Sequence, residues 1–156
     1  MKRKIRVKIN GEWKEIEVDV SEYLLDVLRR EGYLSVKRGC DTGTCGACTV
    51  LVDGFPALSC TILAVTMDGH EIVTAEGLSD EMEGFVEALA QEGADQCGFC
   101  SPGLLVMVHA LKKEIELGKI RKDDKEAMRR YLMGNLCRCS GYLGQQRAIY
   151  KFLGVE

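Results

Sequence analysis

The sequence contains no apolar run that approaches the roughly 18 residues of a membrane span. Its beginning, MKRKIRVKINGEW, carries basic residues but no apolar segment of the kind that follows them in a secretory signal. Lysine and arginine number 21 against 24 aspartates and glutamates, so a net charge of -3 offers no basic surface for a phosphate backbone. We therefore expect a cytoplasmic protein with no membrane span and no nucleic-acid partner.

Histidine is scarce, with two residues, whereas cysteine is abundant, with eight. A disulfide framework is not expected, because a chain without a secretory signal stays in a reducing compartment. A Rieske-type centre would need both His70 and His109, which lie outside the cysteine groups, so we expect solvated or core histidines. The cysteines predict two metal sites because they form two groups of four: Cys40, Cys45, Cys48 and Cys60, then Cys97, Cys100, Cys137 and Cys139.

The first half of the chain predicts a small sheet with one helix. Apolar and charged residues alternate over 5–9, and the Asn10-Gly11 pair that follows is typical of a two-residue hairpin turn. Ser21 is the predicted N-cap of a helix over 22–31. The remaining predicted elements are a second hairpin that turns at Asp53-Gly54 and a strand over 71–74.

The second half predicts helices without strands. Apolar residues at helical spacing follow Ser79, and they follow Ser101-Pro102, where serine can cap a helix and proline fits its first turn. The four predicted helices run over 80–91, from Ser101 to about 117, from Asp123 or Asp124 onward, and after Gly144.

These elements predict an α+β protein with two domains, over 1–77 and 78–156. The strands are confined to the first domain and the second is all-α. Because no linker rich in proline or serine separates the two, we expect them to pack against each other. We find no nucleophile–base arrangement and no phosphate-binding loop, so we expect no catalysis by the chain alone.

The stretch GCDTGTCGACTV, residues 39–50, has the cysteine spacing of plant-type [2Fe-2S] ferredoxins. Cys40-x4-Cys45-x2-Cys48 supplies three thiolates from one short loop, and Cys60 supplies the fourth. The loop's three glycines allow the backbone to approach a cluster closely and to adopt positive φ. A zinc site is the weaker hypothesis, because structural zinc sites favour paired short knuckles.

The second cysteine set is ambiguous when it is considered alone. CGFC, residues 97–100, is compatible with a zinc knuckle or with a thioredoxin-like redox pair, although the βαβ setting of the latter is absent. CRC, residues 137–139, completes the set of four. Since the same chain carries a ferredoxin-type loop, a second iron–sulfur cluster is the favoured interpretation.

The whole chain resembles the small iron–sulfur subunit of the molybdenum hydroxylases, the xanthine dehydrogenase and aldehyde oxidoreductase family. The matching motifs are GCDTGTCGACTVLVDG at 39–54, SC at 59–60, QCGFCSPG at 96–103 and GNLCRCSGY at 134–142, in the family's order. The resemblance implies an N-terminal β-grasp plant-type ferredoxin domain followed by an all-α four-helix [2Fe-2S]-binding domain.

The resemblance also implies a role in electron transfer. A large partner subunit would hold a molybdenum pterin cofactor and hydroxylate a carbon centre, and a medium subunit would bind FAD. Electrons would pass from the second cysteine set, near the molybdenum, to the first set and then towards FAD. By position, Gln96 corresponds to a residue that contacts the pterin, and Cys139 lies close to it.

Two other hypotheses remain open at this point: a free, diffusing two-cluster ferredoxin, and a zinc-binding interaction module. The modest net charge of -3 favours the subunit over a free carrier, because a carrier that meets its partners briefly is usually steered by strong charge. The segment Leu143-Gly144-Gln145-Gln146 is more polar than the resemblance leads us to expect, so a partner-facing surface is predicted to differ here. Tyr142 is predicted to be a packing residue rather than an electron relay.

Overall fold

The computed structural model of the chain describes residues 1–155, in which a five-stranded sheet with one α-helix precedes four further α-helices. The strands are β1 (Lys2–Ile9), β2 (Glu12–Asp19), β3 (Thr49–Val52), β4 (Phe55–Leu58) and β5 (Glu71–Val73). The α-helices are α1 (Leu24–Arg30), α2 (Glu83–Gln91), α3 (Ser101–Glu116), α4 (Lys125–Leu132) and α5 (Leu143–Leu153). This arrangement confirms the predicted α+β class. Within residues 1–155, no helix combines the length and the apolar character that a bilayer crossing requires.

The sheet has the strand order β2-β1-β5-β3-β4. The central strands β1 and β5 are parallel, and the other neighbours are antiparallel. Both predicted hairpin turns form, because Asn10 and Gly11 have φ of 49° and 87° and Asp53 and Gly54 have φ of 49° and 83°. The four apolar residues of α1 are buried against one face of the sheet, in the core of the first half.

Two predicted helix caps are wrong, because each serine bonds to the turn that precedes it. The helix predicted over 22–31 begins at Leu24, and Ser21 Oγ donates to Asp19 Oδ1 at 2.7 Å. The helix predicted over 80–91 begins at Glu83, and Ser79 Oγ donates to the Glu76 carbonyl at 3.2 Å. Serine therefore marks the region of each helix start but not its first residue.

The third predicted cap is also shifted, whereas the fourth is confirmed. Cys100 is the N-cap of α3, and the hydroxyl of Ser101, the first helical residue, donates to Asp95 Oδ1 at 2.6 Å. Asp124 caps α4, since its Oδ1 accepts from the backbone N–H of Ala127 at 2.9 Å.

The two halves pack against each other, as predicted. Leu51 on β3 is buried in the core of the helical half, where it joins side chains of α2 and α3. The connection between the halves is fixed by Asn10, whose Oδ1 accepts from Thr74 N–H at 2.9 Å and whose Nδ2 donates to Thr74 Oγ1 at 3.0 Å. The cysteine-bearing segments meet at this packed boundary.

Replacement of the α4 cap gives a local prediction. In Asp124→Ala, the loss of about 1 kcal/mol of capping should make the first-turn amides of α4 exchange with deuterium about fivefold faster. Asp123→Ala is the matched control, because the Asp123 carboxylate is exposed and bonds to the Arg121 guanidinium, at 3.0 and 2.5 Å, instead of capping. Equal acceleration in both variants would contradict the capping role. Hydrogen exchange followed by mass spectrometry of the α4 peptides is the measurement.

Candidate metal centres

The first four thiols are brought together by the loop between α1 and β3. Cys40, Cys45 and Cys48 lie on this loop, and Cys60 lies in a short 3-10 turn, Ser59–Thr61, that follows β4. Gly39 leaves room for a thiol, because a Cβ added there would lie 2.9 Å from Cys45 Sγ. Cys48 and Cys60 are buried, while Cys40 and Cys45 are partly exposed.

Backbone and hydroxyl donors of the loop between α1 and β3 point at the Cys40 sulfur. The backbone N–H of Thr42, followed by the N–H and hydroxyl of Thr44, lowers the pKa of the Cys40 thiol to about 5. Burial, followed by the neighbouring Cys48, raises the pKa of Cys60 to about 11. Four thiolates placed this closely repel one another, so the set requires bound positive charge to be fully ionised.

The second four thiols lie at the beginning of α3 and in the loop between α4 and α5. Cys97 precedes α3 and Cys100 caps it, and Cys137 and Cys139 belong to the loop. Cys97 and Cys139 are exposed, whereas Cys100 and Cys137 are partly buried. The set therefore has one pair facing outward and one pair facing the protein interior.

The loop over 137–142 is closed by hydrogen bonds among Cys137, Ser140 and Tyr142. Cys137 N–H donates to the Tyr142 hydroxyl at 3.0 Å, Tyr142 N–H donates to Ser140 Oγ at 3.2 Å, and Ser140 N–H donates to Cys137 Sγ at 3.4 Å. Tyr142 adopts a left-handed φ of 66°, which is costly for a residue with a side chain and is maintained by these bonds. In addition to the predicted packing role, the Tyr142 hydroxyl orients a cysteine by accepting the hydrogen bond from its backbone N–H.

Electrostatics in the second set resemble those in the first. Burial raises the pKa of Cys137, but the hydroxyl and N–H of Ser140 outweigh it and lower the pKa to about 7. Burial, followed by the proximity of Cys137, raises the pKa of Cys100 to about 11. A hydrogen bond with Cys97 raises the pKa of Cys139.

The donor sets fit a binuclear cluster. Among residues 1–155, no group of three or more His, Cys, Asp or Glu side chains is arranged around the position of a single metal ion. The thiols instead interact in pairs, since one member of each pair shifts the pKa of the other: Cys40 with Cys45, Cys48 with Cys60, Cys100 with Cys137, and Cys97 with Cys139. A [2Fe-2S] cluster takes two thiolates on each of its two irons, which is the pairing that both sites provide.

The two sites are joined by direct backbone contact. Leu136 N–H, next to Cys137, donates to the carbonyl of Cys45 at 2.9 Å. Asn135 Nδ2 donates to the carbonyl of Gly46 at 3.3 Å, and an added Cβ at Gly46 would lie 2.6 Å from the Gly134 carbonyl oxygen. The loop of the first site therefore lies against the segment that carries two thiols of the second.

The remaining polar residues singled out by the sequence lie as follows. Gln96 is exposed, next to the exposed Cys97. His70 Nδ1 lies 2.6 Å from Asp53 Oδ2, and the buried His109 has its Nε2 3.2 Å from Glu81 Oε2, so both histidines pair with carboxylates. Sequence reasoning missed Ser140, Asn135 and Gln145; for Ser140, a hydroxyl three residues after Cys137 is the available signal.

Both halves of the chain match iron–sulfur family models. A "2Fe-2S iron-sulfur cluster binding domain" model matches residues 7–90 and a "[2Fe-2S] binding domain" model matches residues 74–150. The xanthine dehydrogenase iron-sulfur-binding subunit of Escherichia coli O157:H7 is 44% identical over 142 residues, which are 88% of this chain and 86% of that subunit. The chain belongs to the iron–sulfur subunits of the xanthine dehydrogenase family. Membership confirms the predicted pair of [2Fe-2S]-binding domain types and an electron-transfer subunit of an oxidoreductase.

Solved structures support the assignment of the chain to this family. A chain of quinoline 2-oxidoreductase from Pseudomonas putida 86 superposes with a TM-score of 0.85 at 36% identity, over 95% of this chain and 90% of that one. Aldehyde oxidoreductase from Desulfovibrio desulfuricans ATCC 27774 superposes with a TM-score of 0.86 at 34% identity, over 97% of this chain but 17% of that one. The matched family ranges overlap over 74–90, so the domain limits 1–77 and 78–156 stay a prediction.

Proposed function

We propose that the chain relays electrons between two [2Fe-2S] clusters, which we call the ferredoxin-domain cluster and the helical-domain cluster. The observation that carries the proposal is the pairing of eight thiols in two sites that touch through the Leu136–Cys45 hydrogen bond. The ligands of the ferredoxin-domain cluster are Cys40, Cys45, Cys48 and Cys60; those of the helical-domain cluster are Cys97, Cys100, Cys137 and Cys139.

Each cluster, when bound, supplies a site that accepts and releases one electron. The chain itself supplies the thiolate ligands. It buries the inner thiols of each site and directs hydrogen-bond donors at the ligand sulfurs. Cys48 and Cys60 are buried, which excludes water from one side of the ferredoxin-domain site. Leu136 and Cys45 connect the two sites through two peptide units and one hydrogen bond, so no mobile element is needed between them.

The exposed pair, Cys97 and Cys139, supports entry of electrons at the helical domain, because this is where a partner can approach the second site most closely. Gln96 is exposed beside them and is the proposed contact to a pterin on a large partner subunit. That partner would hold a molybdenum pterin cofactor and hydroxylate a carbon centre with an oxygen atom from water, releasing two electrons and two protons. The aldehyde oxidoreductase in which the matching region is 17% of a longer chain supports a large partner.

Electrons would leave through the ferredoxin-domain cluster to FAD on a medium subunit. The partly exposed Cys40 and Cys45 support this exit, because they lie on the accessible side of that site. We propose that the assembly works in the cytoplasm, where free thiols persist.

Anaerobic purification of the native complex tests this function. We expect about four irons per copy of the chain, two for each set of four cysteines, and molybdenum on a larger co-purifying subunit. Four irons on a chain that purifies without partners would instead establish the free two-cluster ferredoxin. Zinc in place of iron would overturn both.

A further inference from the structure

Gln145 provides a buried side-chain donor to one of the cysteines. The residue lies in the first turn of α5, its exposed fraction is 5%, and its Nε2 donates to Cys100 Sγ at 3.5 Å. Among the other thiols of the second site, Cys137 receives the N–H and hydroxyl of Ser140 from its own loop, and Cys139 receives the backbone N–H of Cys97. The Gln145 amide is a side-chain donor on a helix, and it lies 45 residues further along the chain than Cys100.

The packing of α5 places this amide. Gly144 lets the helix approach the segment before Cys97, because an added Cβ there would lie 3.2 Å from the Glu92 carbonyl oxygen and 3.3 Å from Ala94 Cβ. Arg147 Nε donates to Glu92 Oε2 at 2.8 Å, which fixes the same helix turn against the same segment. The donor is therefore held in place by packing rather than by its own bond to sulfur, so it is preorganised.

A donor at this position favours the reduced form of a cluster. Reduction adds one negative charge that spreads onto the ligand sulfurs, and an N–H donor interacts more strongly as the sulfur becomes more negative. Burial strengthens the effect, since little water competes for the sulfur. We propose that Gln145 raises the reduction potential of the helical-domain cluster through its hydrogen bond to Cys100. This inference rests on the proposed function, in which Cys100 is a cluster ligand, and makes Gln145 a positioning residue that acts through that ligand.

The test is a redox titration of the full chain, in its native complex, followed by electron paramagnetic resonance. In Gln145→Met, which keeps the length of the side chain but has no N–H, the helical-domain cluster should be about tenfold harder to reduce at a fixed solution potential. For a one-electron couple this corresponds to a potential about 59 mV lower. The ferredoxin-domain cluster should titrate as in the unmodified protein.

Gln146→Met is the matched control, because it makes the same chemical change one residue further on, at a partly buried side chain that has no hydrogen bond to a thiol among residues 1–155. We expect both clusters to keep their potentials in this variant. Gln145→Asn is a second test, to be used if the methionine variant does not bind the cluster. Asparagine keeps the amide, but its side chain is one carbon shorter, so the amide lies further from Cys100 Sγ. Its helical-domain cluster should also be harder to reduce.

An unchanged helical-domain potential in either Gln145 variant, with both clusters present, would overturn the inference and leave the proposed function intact. An equal shift in Gln146→Met would overturn it as well, because the effect would then come from packing of α5. Failure of the proposed function is distinguished by the unmodified protein. It would then contain fewer than four irons per chain, or it would purify without a molybdenum-containing partner.

Discussion

Gly103→Ala should force apart the two halves of the chain at the contact between the metal sites. An added Cβ at Gly103, in the first turn of α3, would overlap the Gly46 carbonyl oxygen and lie 3.2 Å from Ala47 Cα. These are backbone atoms of the ferredoxin-domain loop and cannot rotate away, so the strain must be relieved by movement of α3 or of the loop. We expect a loss of about 1–3 kcal/mol of stability, with an apparent Tm roughly 2 to 12 °C lower.

Gly84→Ala is the matched control, because Gly84 also lies in a helix but has room for a methyl group. The nearest atoms to its added Cβ are ring carbons of Phe152 at 3.7 and 3.8 Å, which is ordinary contact. Alanine is the better helix former by up to about 1 kcal/mol, so this variant should be as stable as the parent or more stable. Thermal scans at one fixed rate, with absorbance of the clusters as the signal, provide the measurement. An equal decrease in the apparent Tm of both variants would contradict a specific role of the Gly103–Gly46 contact in stability.

Local sequence signals predicted the parts of this fold that depend on neighbouring residues. Asn10-Gly11 determines its own turn because both residues tolerate positive φ, and Asp124 caps α4 because its side chain reaches the backbone three residues away. The cysteine spacing is also a local signal, because three thiolates on one short loop are sufficient to predict a cluster site. Serine predicts the first residue of a helix less well. The hydroxyls of Ser21 and Ser101 donate to carboxylates outside the helices instead of capping them.

Contacts between distant segments could not be predicted from the sequence. The approach of Gly103 to Gly46 joins distant segments of the chain, and no local pattern indicates that these two glycines meet. The bond from Gln145 to Cys100 likewise depends on how α5 packs, and the sequence indicates only a polar segment at this position. These long-range contacts connect the two sites and surround their sulfurs, so the structure was needed to identify them.

Cys60→Ala should remove the ferredoxin-domain cluster and leave the helical-domain cluster in place. Cys60 is 7% exposed and pairs with Cys48, so water and solvent thiols cannot easily supply the missing ligand. The remaining three thiols cannot complete two thiolates on each iron. Iron should fall from about four to about two per chain, and one of the two paramagnetic signals should disappear on reduction.

Cys100→Ala is the reciprocal variant, and it should remove the other signal. Cys100 caps α3 and pairs with Cys137 on the inner side of the second site, so its loss leaves the ferredoxin-domain ligands untouched. With Cys60→Ala, substrate should still reduce the helical-domain cluster in the native complex while transfer to the final acceptor stops. With Cys100→Ala, substrate should fail to reduce either site. Loss of both signals in each variant, or retention of four irons in either, would contradict the assignment of the eight ligands to two separate clusters.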